Sequence, residues 1–467
     1  MSATDALVGL VLDLPGRSLP ALARDRARVA FLDCIACIMA GSQTATGEIV
    51  AAFVKEQGGR EDAVVAGRAL RAPAAEAALA NGAAAHALDY DDIVRQLGHP
   101  SVVLVPALLA AGERASSSGK DLITAYAVGF EVISRTLRHM NPAHFDRGWH
   151  TTSTVGVLGA TAAIATLLGV DGAVLRNAIG IAASSSVGLR KNWGSMVKPL
   201  HAGMAAHNAV VAVDLARRGF IADPNSLDGT FGFLNVYRGD SEPNTDFVEL
   251  FSPDRPLSLT ETGLTIKRFA CCGASHAAVD GILQLRAEHP EIADPNCIES
   301  VESTVNQLAA DILFHHVAHT GDQGRFSMEY SLAAALLDGW LGLEQFSKER
   351  VGDPQVQALS RRVHMVVDPA AKVDYANWPA RVDVVLKDGR HLTTTVERPK
   401  GHPDNPLSVQ DLQAKFNECC EPVLGKAQTA RALDMLVNLE TLGEVNGLAA
   451  TLMVPGDEAR GKSSPSG

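Results

Sequence analysis

The sequence predicts a mainly α protein, with a large all-helical domain and a smaller, inserted α+β domain. Three observations lead to this class. Residues 4–250 form a succession of helical patterns, residues 264–400 mix strand patterns with helices, and residues 408–454 return to helical spacing. We therefore place the helical domain at residues 1–263 and 401–454 and the α+β domain at residues 264–400. A chain of 467 residues, 46% hydrophobic and 20% charged, has room for two such cores.

The helical domain begins with segments whose apolar residues recur at helical spacing. Leu19–Ala40 is the first long one, with Ser18 as the expected N-cap and Gly41 as the expected end. Further helices are predicted at Pro73–Leu88, Pro100–Ser117, Lys120–Met140, Ser153–Leu168, Gly172–Val187 and Ala202–Gly219. Many of them are apolar on most faces, so we expect them to pack against other helices all round.

Strand patterns appear after residue 264. The predicted strands are Val301–Val305, Arg362–Val367, Ala380–Leu386 and His391–Val396, and the predicted helices are Ser275–Glu288 and Ser327–Leu341. The last two strands form a hairpin, because the Asp-Gly between them supplies the positive φ angles of a tight turn. Pro399–Pro406 closes the domain, and Ser408 to Asp411 resembles a capping box that starts the final helical stretch. Residues 455–467 are expected to be disordered.

Composition and charge exclude several classes of protein. The chain has 41 Lys and Arg against 53 Asp and Glu, a formal net charge of −12, which argues against a nucleic-acid partner. The N-terminus lacks the order of a signal peptide. Gly148–Val170 is long enough to cross a bilayer, but its threonines and glycines favour a buried helix, so no membrane partner is expected. Seven cysteines do not suggest a disulfide framework, and we expect a cytoplasmic protein.

Four short polar groups interrupt the apolar helices. They are Asp89–Asp92 with Gly98–Ser101, Gly148–Ser153, Lys191–Gly203, and Lys267–Cys272. His99, His150 and Lys198 each precede a predicted helix, beside unpaired N–H groups at the positive end of its dipole. A helix start with a neighbouring Lys or His binds carboxylate or phosphate groups. If these helix starts converge, they would form a pocket for a multiply charged small carboxylate.

Other roles for the same residues remain open at this point. Each histidine taken singly could be a core or capping residue, and Asp89–Asp92 could be a solvated helix end. The residues that could bind a metal by composition are Asp91, Asp92, His99 and His150, but no local ligand spacing supports this. Cys34 and Cys37 would share one apolar helix face, which favours buried thiols over half a zinc site. No phosphate-binding glycine loop is present, so a nucleotide cofactor is not expected.

Taken together, seven motifs extend over nearly the whole chain: His86–Asp92, His99–Ser101, Gly148–His150, Lys198–Gly203, Lys267, Phe326–Tyr330 and Gly401–Pro406. In order and spacing they resemble the MmgE/PrpD family, which includes 2-methylcitrate dehydratase, cis-aconitate decarboxylase and iminodisuccinate epimerase. The resemblance implies a helical domain built from both ends of the chain and an inserted α+β domain. It also implies a homodimer that uses neither metal nor organic cofactor.

The resemblance implies six catalytic residues. Matched position by position, they are Asp89, His99, His150, Lys198, Lys267 and Tyr330. Candidates for the substrate pocket are Thr151, Lys191, Asn192, Arg268 and Cys272. Two positions depart from the family pattern: Cys272 stands where the decarboxylase and some dehydratases have a histidine, and Ile93 stands where the decarboxylase has a threonine. The segment from Ile93 to Gly98 resembles the epimerase more than the decarboxylase.

The activities of this family share one step, which is to make or quench negative charge on a carbon next to a carboxylate. The two lysines would stabilise the enediolate, with His150 or Asp89 as the base and His99 or Tyr330 as the acid. The first expectation is a hydro-lyase that removes water from a 2-methylcitrate-like di- or tricarboxylate. An epimerase or a decarboxylase using the same site is the alternative. A catalytically silent carboxylate-binding protein is a third possibility.

Overall fold

The chain forms two compact units. The computed structural model describes residues 1–94, 98–243, 245–371 and 378–455, and except for Pro455 the predicted disordered tail lies outside them. Unit 1 is Met1–Leu264 together with the chain from Leu412 onward, and unit 2 is Thr265–Asp411. Unit 2 continues past the predicted boundary at residue 400, because Ile266 donates a backbone hydrogen bond of 3.0 Å to Gly401. Helices dominate and strands are few, which confirms the predicted mainly α class.

Unit 1 is built of helices. Its helices are α1 (Ala3–Asp13), α2 (Ala21–Ser42), α3 (Ala45–Gln57), α4 (Ala74–His86), α5 (Ser101–Ala115), α6 (Gly119–Met140), α7 (Ala143–Asp146), α8 (Thr151–Thr154), α9 (Gly156–Leu167), α10 (Gly172–Ser184), α11 (Val197–Arg217), α12 (Phe233–Arg238), α13 (Phe247–Leu250) and α14 (Ser258–Glu261). Two strands, β1 (Ala63–Val65) and β2 (Leu70–Ala72), form a small antiparallel sheet that was not predicted. Three-residue strands are too short to show an alternating pattern.

Two predicted features of the first long helix are wrong. The N-cap position of α2 is occupied by Pro20 and not by Ser18, and the helix continues through Gly41 to Ser42. Gly41 is needed where α2 packs against α4, because a Cβ at this position would lie 1.9 Å from the carbonyl oxygen of Ala84. The glycine therefore allows α2 and α4 to approach closely instead of ending the helix.

A second close approach joins α4 to α11. A Cβ on Gly203 would lie 2.3 Å from the carbonyl oxygen of Leu79, and one on Gly82 would lie 2.8 Å from the Cα of Gly203. Only residues without a side chain allow the two backbones to come this close. Because of this contact, the residues that follow α4 lie beside the first turn of α11.

Unit 2 contains a four-stranded sheet and several helices. Its helices are α15 (His276–Glu288), α16 (Gln307–Ile312), α17 (Gly321–Gly324), α18 (Met328–Asp338), α19 (Lys348–Val351) and α20 (Pro354–Ser360). Its strands are β3 (Ile298–Val305), β4 (Val363–Val367), β5 (Ala380–Leu386) and β6 (His391–Val396), in the order β4-β3-β5-β6. β3 pairs parallel with β4 and antiparallel with β5. These four strands lie where the sequence predicts strands.

The turn and cap signals of unit 2 also appear in the structure. Gly389 has a φ of 89° in the loop between β5 and β6, as the Asp-Gly turn requires. Ser408 and Asp411 exchange hydrogen bonds at 3.0 and 3.1 Å in a capping box, which precedes α21 (Val409–Leu424). The chain then ends with α22 (Lys426–Val437) and α23 (Asn446–Thr451).

Within the described residues, no single helix is long and apolar enough to cross a membrane. Two segments, Ala3–Gly16 and Ala21–Ser42, reach the necessary length and composition only as a pair, and the bend between them is 101°. The apolar stretch near Gly148–Val170 is divided between α8 and α9 and is largely buried within unit 1.

Candidate active site

The contact between α4 and α11 brings an aspartate and a lysine together. Asp89 follows α4 with a φ of 50°, a left-handed conformation that Asp tolerates better than most residues. Lys198 lies in the first turn of α11 and not before the helix as predicted, because α11 already begins at Val197. Lys198 Nζ donates to Asp89 Oδ1 at 2.6 Å, and each side chain is only 10% exposed. The result is a largely buried ion pair at a helix start.

Asp91 is the centre of a second group of side chains. His86, the last residue of α4, donates from Nδ1 to Asp91 Oδ1 at 3.0 Å, and His99 donates from Nδ1 to Asp91 Oδ2 at 2.7 Å. One carboxylate thus accepts from two imidazoles, which places an N–H on Nδ1 of each ring. His86 Nε2 is buried and has no hydrogen-bond partner among the described residues.

His150 is held by a short backbone ladder. The His150 N–H donates to the carbonyl of Gly188 at 3.0 Å, and the Arg190 N–H donates to the carbonyl of Gly148 at 2.8 Å. His150 occupies the N-cap position of α8, which begins at Thr151, two residues earlier than the predicted helix start. The ladder therefore joins the loop before α8 to the loop before α11.

The ring of His150 completes the cluster. It stacks on His86 with ring centroids 5.8 Å apart and meets Trp193 edge-on at 5.7 Å. Its Nδ1 lies 3.1 Å from Nδ1 of His201, and its buried Nε2 has no partner in the part of the chain that the structure describes. Lys198 Nζ lies 5.7 Å from the centre of the same Trp193 ring. The structure therefore brings Asp89, His99, His150 and Lys198 into one neighbourhood. The sequence analysis could state this convergence only as a condition for a carboxylate pocket.

Burial and nearby charge set the protonation states. Burial lowers the pKa of His86 to about 4, with Lys198 and His99 adding to the effect and Asp91 opposing it. Burial also lowers the pKa of His150 well below its usual value. Burial alone would raise the pKa of Asp91, but its two imidazole partners hold that pKa well below the usual range. At neutral pH the cluster therefore contains neutral His86 and His150 beside ionised Asp91.

A metal ion is conceivable at a different set of residues from the one considered in the sequence. Among the described residues, His86, Asp89, Asp91 and His99 each offer a ligand atom within 4.8 Å of the others. Asp92 instead accepts from Ser101 Oγ at 2.7 Å, and His150 pairs with His201. A cation here would compete with the Lys198 ammonium for Asp89 and with both imidazole N–H groups for Asp91. The Lys198 ammonium and the two imidazole N–H groups therefore already bond the carboxylate oxygens that a metal would need.

The predicted pocket residues of unit 1 differ in their exposure. Thr151 is buried beside His150, and a Cβ on Gly98 would lie 2.7 Å from its Oγ1. Lys191 is exposed, and Asn192 is half-buried in the same short turn before Trp193. In the loop that resembles the epimerase, residues 95–97 lie outside the described part of the chain.

The remaining predicted site residues belong to unit 2. Lys267 is 1% exposed, and Cys272 is buried with its N–H donating to the carbonyl of Arg325 at 3.0 Å. Arg268 forms an ion pair of 2.8 Å with Asp280, so its guanidinium has a structural partner within the unit.

Tyr330 is also buried in unit 2. Its hydroxyl donates a short hydrogen bond to the backbone carbonyl of Gln345, and its ring lies 5.8 Å from that of Phe346. Burial raises the pKa of Tyr330 well above its usual value. The proton that a general acid would need is therefore already engaged by the backbone.

Models of known families match most of the chain. Residues 5–246 match the MmgE/PrpD N-terminal domain, and residues 269–441 match the MmgE/PrpD C-terminal domain. The chain belongs to the MmgE/PrpD family. It is 28% identical to cis-aconitate decarboxylase of Homo sapiens over 450 residues, 94% of this chain and 92% of that protein. It is 26% identical to 2-methylcitrate dehydratase of Cupriavidus necator over 459 residues, 88% of this chain and 90% of that protein. Both relatives are enzymes, which supports an enzyme here.

Four residues of this MmgE/PrpD cluster were not predicted as site residues. They are His86, Asp91, Trp193 and His201. All four lie inside polar groups or motifs already singled out in the sequence, and that proximity was the available signal. Their contacts could not be predicted, because His201 meets His150 across 51 positions of the chain.

Proposed function

We propose that the chain is a lyase that acts on a small di- or tricarboxylate and needs neither metal nor organic cofactor. The reaction removes a proton from the carbon next to a carboxylate and expels a β-hydroxyl group as water. The observation that supports this most directly is the buried cluster of unit 1. It combines the Lys198–Asp89 ion pair with three imidazoles, two of which have an Nε2 without a partner among the described residues.

Lys198 supports the removal of the α-proton, which is the difficult step of this reaction. A proton next to a carboxylate is very weakly acidic, and its removal moves negative charge onto the carboxylate oxygens. The ammonium of Lys198 is fixed by Asp89 at 2.6 Å and lies at a helix start, where the dipole also favours negative charge. A preorganised positive charge in a site with little water stabilises the enediolate more than the free acid.

We assign the base to His150 and the acid to His99. His150 Nε2 has no partner in the described chain, whereas Asp89 is engaged by Lys198. His99 donates from Nδ1 to the ionised Asp91, which stabilises its imidazolium form and leaves Nε2–H for donation. Tyr330 is the weaker candidate because its hydroxyl is bonded to a backbone carbonyl.

Atoms and charges balance in this scheme. His150 Nε2 takes the α-proton, and the electron pair of the C–H bond moves onto the carboxylate to give the enediolate. That pair then returns to form the carbon–carbon double bond as the C–O bond breaks. The imidazolium of His99 gives its Nε2 proton to the departing hydroxide, which leaves as water. One proton transfer from His150 back to His99 through solvent restores the starting state.

The test is proton NMR in D₂O with a panel of C4 to C7 di- and tricarboxylates. We expect one or more acids to lose an α-proton signal and to form an alkene, and we expect Lys198→Ala to abolish both changes. Binding of citrate or tricarballylate without exchange or product across the whole panel would refute the proposal and favour a silent carboxylate-binding protein.

Decarboxylation is a second candidate, supported by the relatives. The match to human cis-aconitate decarboxylase covers 94% of the chain at 28% identity, against 88% at 26% for the Cupriavidus necator dehydratase. The same ammonium would stabilise the carbanion that remains after CO₂ departs. Ile93, which stands where the decarboxylase has a threonine, is the feature that disfavours it, whereas Cys272 departs from the decarboxylase and from some dehydratases alike. In the D₂O experiment a decarboxylase releases CO₂, and an epimerase incorporates deuterium at the stereocentre of both epimers.

A further inference from the structure

We infer that His201 is a positioning residue that holds His150 in the tautomer with its proton on Nδ1, so that the Nε2 lone pair is free to act as a base. The inference deepens the proposed function and rests on it for its kinetic consequence. The tautomer itself is a property of the free protein and is independent of the substrate.

The contact between the two rings requires one shared proton. His150 Nδ1 and His201 Nδ1 are 3.1 Å apart, a hydrogen-bond distance at which one nitrogen must donate and the other accept. Burial lowers the pKa of both imidazoles below the usual value, so both rings are neutral at neutral pH. Each neutral imidazole carries one N–H, so one ring is protonated on Nδ1 and the other on Nε2.

The environment of the two Nε2 atoms decides the direction. His150 is 1% exposed, and its Nε2 has no hydrogen-bond partner within the described residues. An N–H at that position would be a buried donor without an acceptor, and such donors are rarer in proteins than buried acceptors without a donor. His201 is 7% exposed, so its Nε2–H is the one that water can reach. His150 therefore donates from Nδ1, and His201 accepts at Nδ1.

The surrounding backbone holds the His150 and His201 rings in place. Ser153 Oγ donates to the carbonyl of His201 at 3.0 Å, and the carbonyl of Gly188 accepts from the His150 N–H. Gly188 has a φ of 127°, and a Cβ there would lie 3.3 Å from His150 Cβ and 3.5 Å from His201 Cγ. The glycine thus leaves both rings the space they occupy, with Trp193 against the edge of His150.

The pair has a direct consequence for proton abstraction. When His150 Nε2 takes a proton, its Nδ1–H bond to the neutral His201 becomes charge-assisted and stabilises the imidazolium. The nearby groups that oppose this positive charge are His86, Lys198, His99 and, when it is itself charged, His201. A neutral His201 instead offers its Nδ1 lone pair to the His150 N–H. Without an acceptor at this place, no hydrogen bond favours the tautomer of His150 that carries its proton on Nδ1.

Two substitutions separate the acceptor from the shape of the side chain. His201→Leu removes the acceptor and preserves much of the volume, and His201→Asn offers an amide oxygen close to the position of Nδ1. We expect His201→Leu to lower kcat about 100-fold with little change in KM, and His201→Asn to remain within about 10-fold of the wild type. If folded His201→Leu keeps its kcat, or if folded His201→Asn is as slow as His201→Leu, the inference is wrong.

The tautomer is measured directly by long-range ¹H–¹⁵N correlation NMR on the full chain labelled at histidine, with His150→Gln to assign the signals. In the wild type we expect a protonated Nδ1 and an unprotonated Nε2 for His150, and in His201→Leu the reverse or a mixture. A wild-type His150 protonated on Nε2 overturns the inference even if every kinetic result fits. If the carboxylate panel shows no turnover, the proposed function fails, but the wild-type NMR result still decides the role of His201.

Discussion

Asp91 and Asp92 are neighbours in the chain but belong to opposite chemical environments. Asp91 accepts from two imidazoles, which hold its pKa well below the usual range. Asp92 accepts from Ser101 Oγ, and burial raises its pKa well above the usual value. The surroundings thus favour the ionised form of Asp91 and the neutral form of Asp92, although both are 0% exposed. Because the two are equally buried, the difference comes from their neighbours: Asp91 has two imidazole partners, whereas Asp92 has a hydroxyl donor and lies near the carboxylates of Asp33 and Asp91.

The same contrast extends to the two lysines that are buried among the described residues of unit 1. Lys415 lies 2.5 Å from Asp33 and donates to the carbonyl of Tyr90 at 2.8 Å, so it ties the C-terminal helices to the N-terminal part of the unit. Lys198 is paired with Asp89 at a helix start beside imidazoles that have unused nitrogens. A buried ion pair whose cation also bonds a backbone carbonyl is structural, whereas one beside free acceptors can take up a ligand.

The largest expected effect follows from removing each lysine. Lys198→Ala should lower the turnover rate about 100- to 1000-fold, the usual cost of losing one electrostatic donor to a transition state. Lys415→Met should instead lower the free energy of unfolding by about 3–5 kcal/mol, because Asp33 loses the ammonium that faces it. Turnover assays and urea unfolding of both variants measure these effects.

Each lysine variant is the control for the other. Lys198→Ala should lose less stability than Lys415→Met, because Asp89 is 10% exposed and Asp33 only 1%. The folded fraction of Lys415→Met should keep most of its turnover. Near-normal turnover in Lys198→Ala would remove that residue from the mechanism, and a purely kinetic defect in Lys415→Met would remove the distinction between the two pairs.

The next effect compares the two aspartates. Asp91→Asn replaces an ionised acceptor of two N–H groups by an amide, so His99 loses both its fixed tautomer and its counter-charge. We expect turnover to fall about 100-fold or more. Asp92→Asn replaces a neutral acid by a neutral amide and should change the free energy of unfolding by about 1 kcal/mol with little kinetic effect.

Equal kinetic losses in Asp91→Asn and Asp92→Asn would show that the two carboxyls are not functionally distinct. Infrared difference spectroscopy of the carboxyl stretching bands in the wild type and both variants checks the charge states directly. Asp92→Asn should remove a protonated carboxyl band, and Asp91→Asn should remove an ionised one.

The last effect develops gradually with pH: it concerns acid stability and compares one histidine in the cluster with one outside it. Burial lowers the pKa of both His86 and His144 to about 4, so the unfolded chain binds protons at higher pH than the folded chain. The stability is therefore fully present above pH 6.5 and falls as the pH decreases towards 4, by up to about 3 kcal/mol for each residue.

Urea unfolding at several pH values measures this slope, and His144→Gln provides the matched comparison. His144 bonds the carbonyl of Tyr237 and Thr154 Oγ1, so its loss should flatten the slope while turnover stays close to that of the wild type. His86→Gln should flatten the slope and also reduce turnover. A slope unchanged in both variants would mean that neither imidazole is neutral in the folded chain near pH 6.

Much of the fold was predictable because its signals are local. Helical spacing, the Asp-Gly turn before β6 and the Ser408 capping box depend on residues within a few positions of one another. The errors came where distant contacts override a local signal. Gly41 resembles a helix end, but it is needed for the approach of Ala84, and the short β1–β2 sheet has too few residues to show a period.

The candidate site was predictable as a set of residues and not as an arrangement. The polar groups among the apolar helices, together with the family resemblance, identified Asp89, His99, His150 and Lys198. The same groups and motifs contain His86, Asp91 and His201, but proximity in the chain did not separate these from neighbours such as Asp92. The arrangement depends on contacts such as Lys198 to Asp89 across 109 positions. Periodicity and capping act along the chain, so the sequence alone reveals them. A pKa, a tautomer and a shared proton depend on which distant groups the folded chain brings within 3 Å or so, and those properties therefore emerge only once the helices have packed.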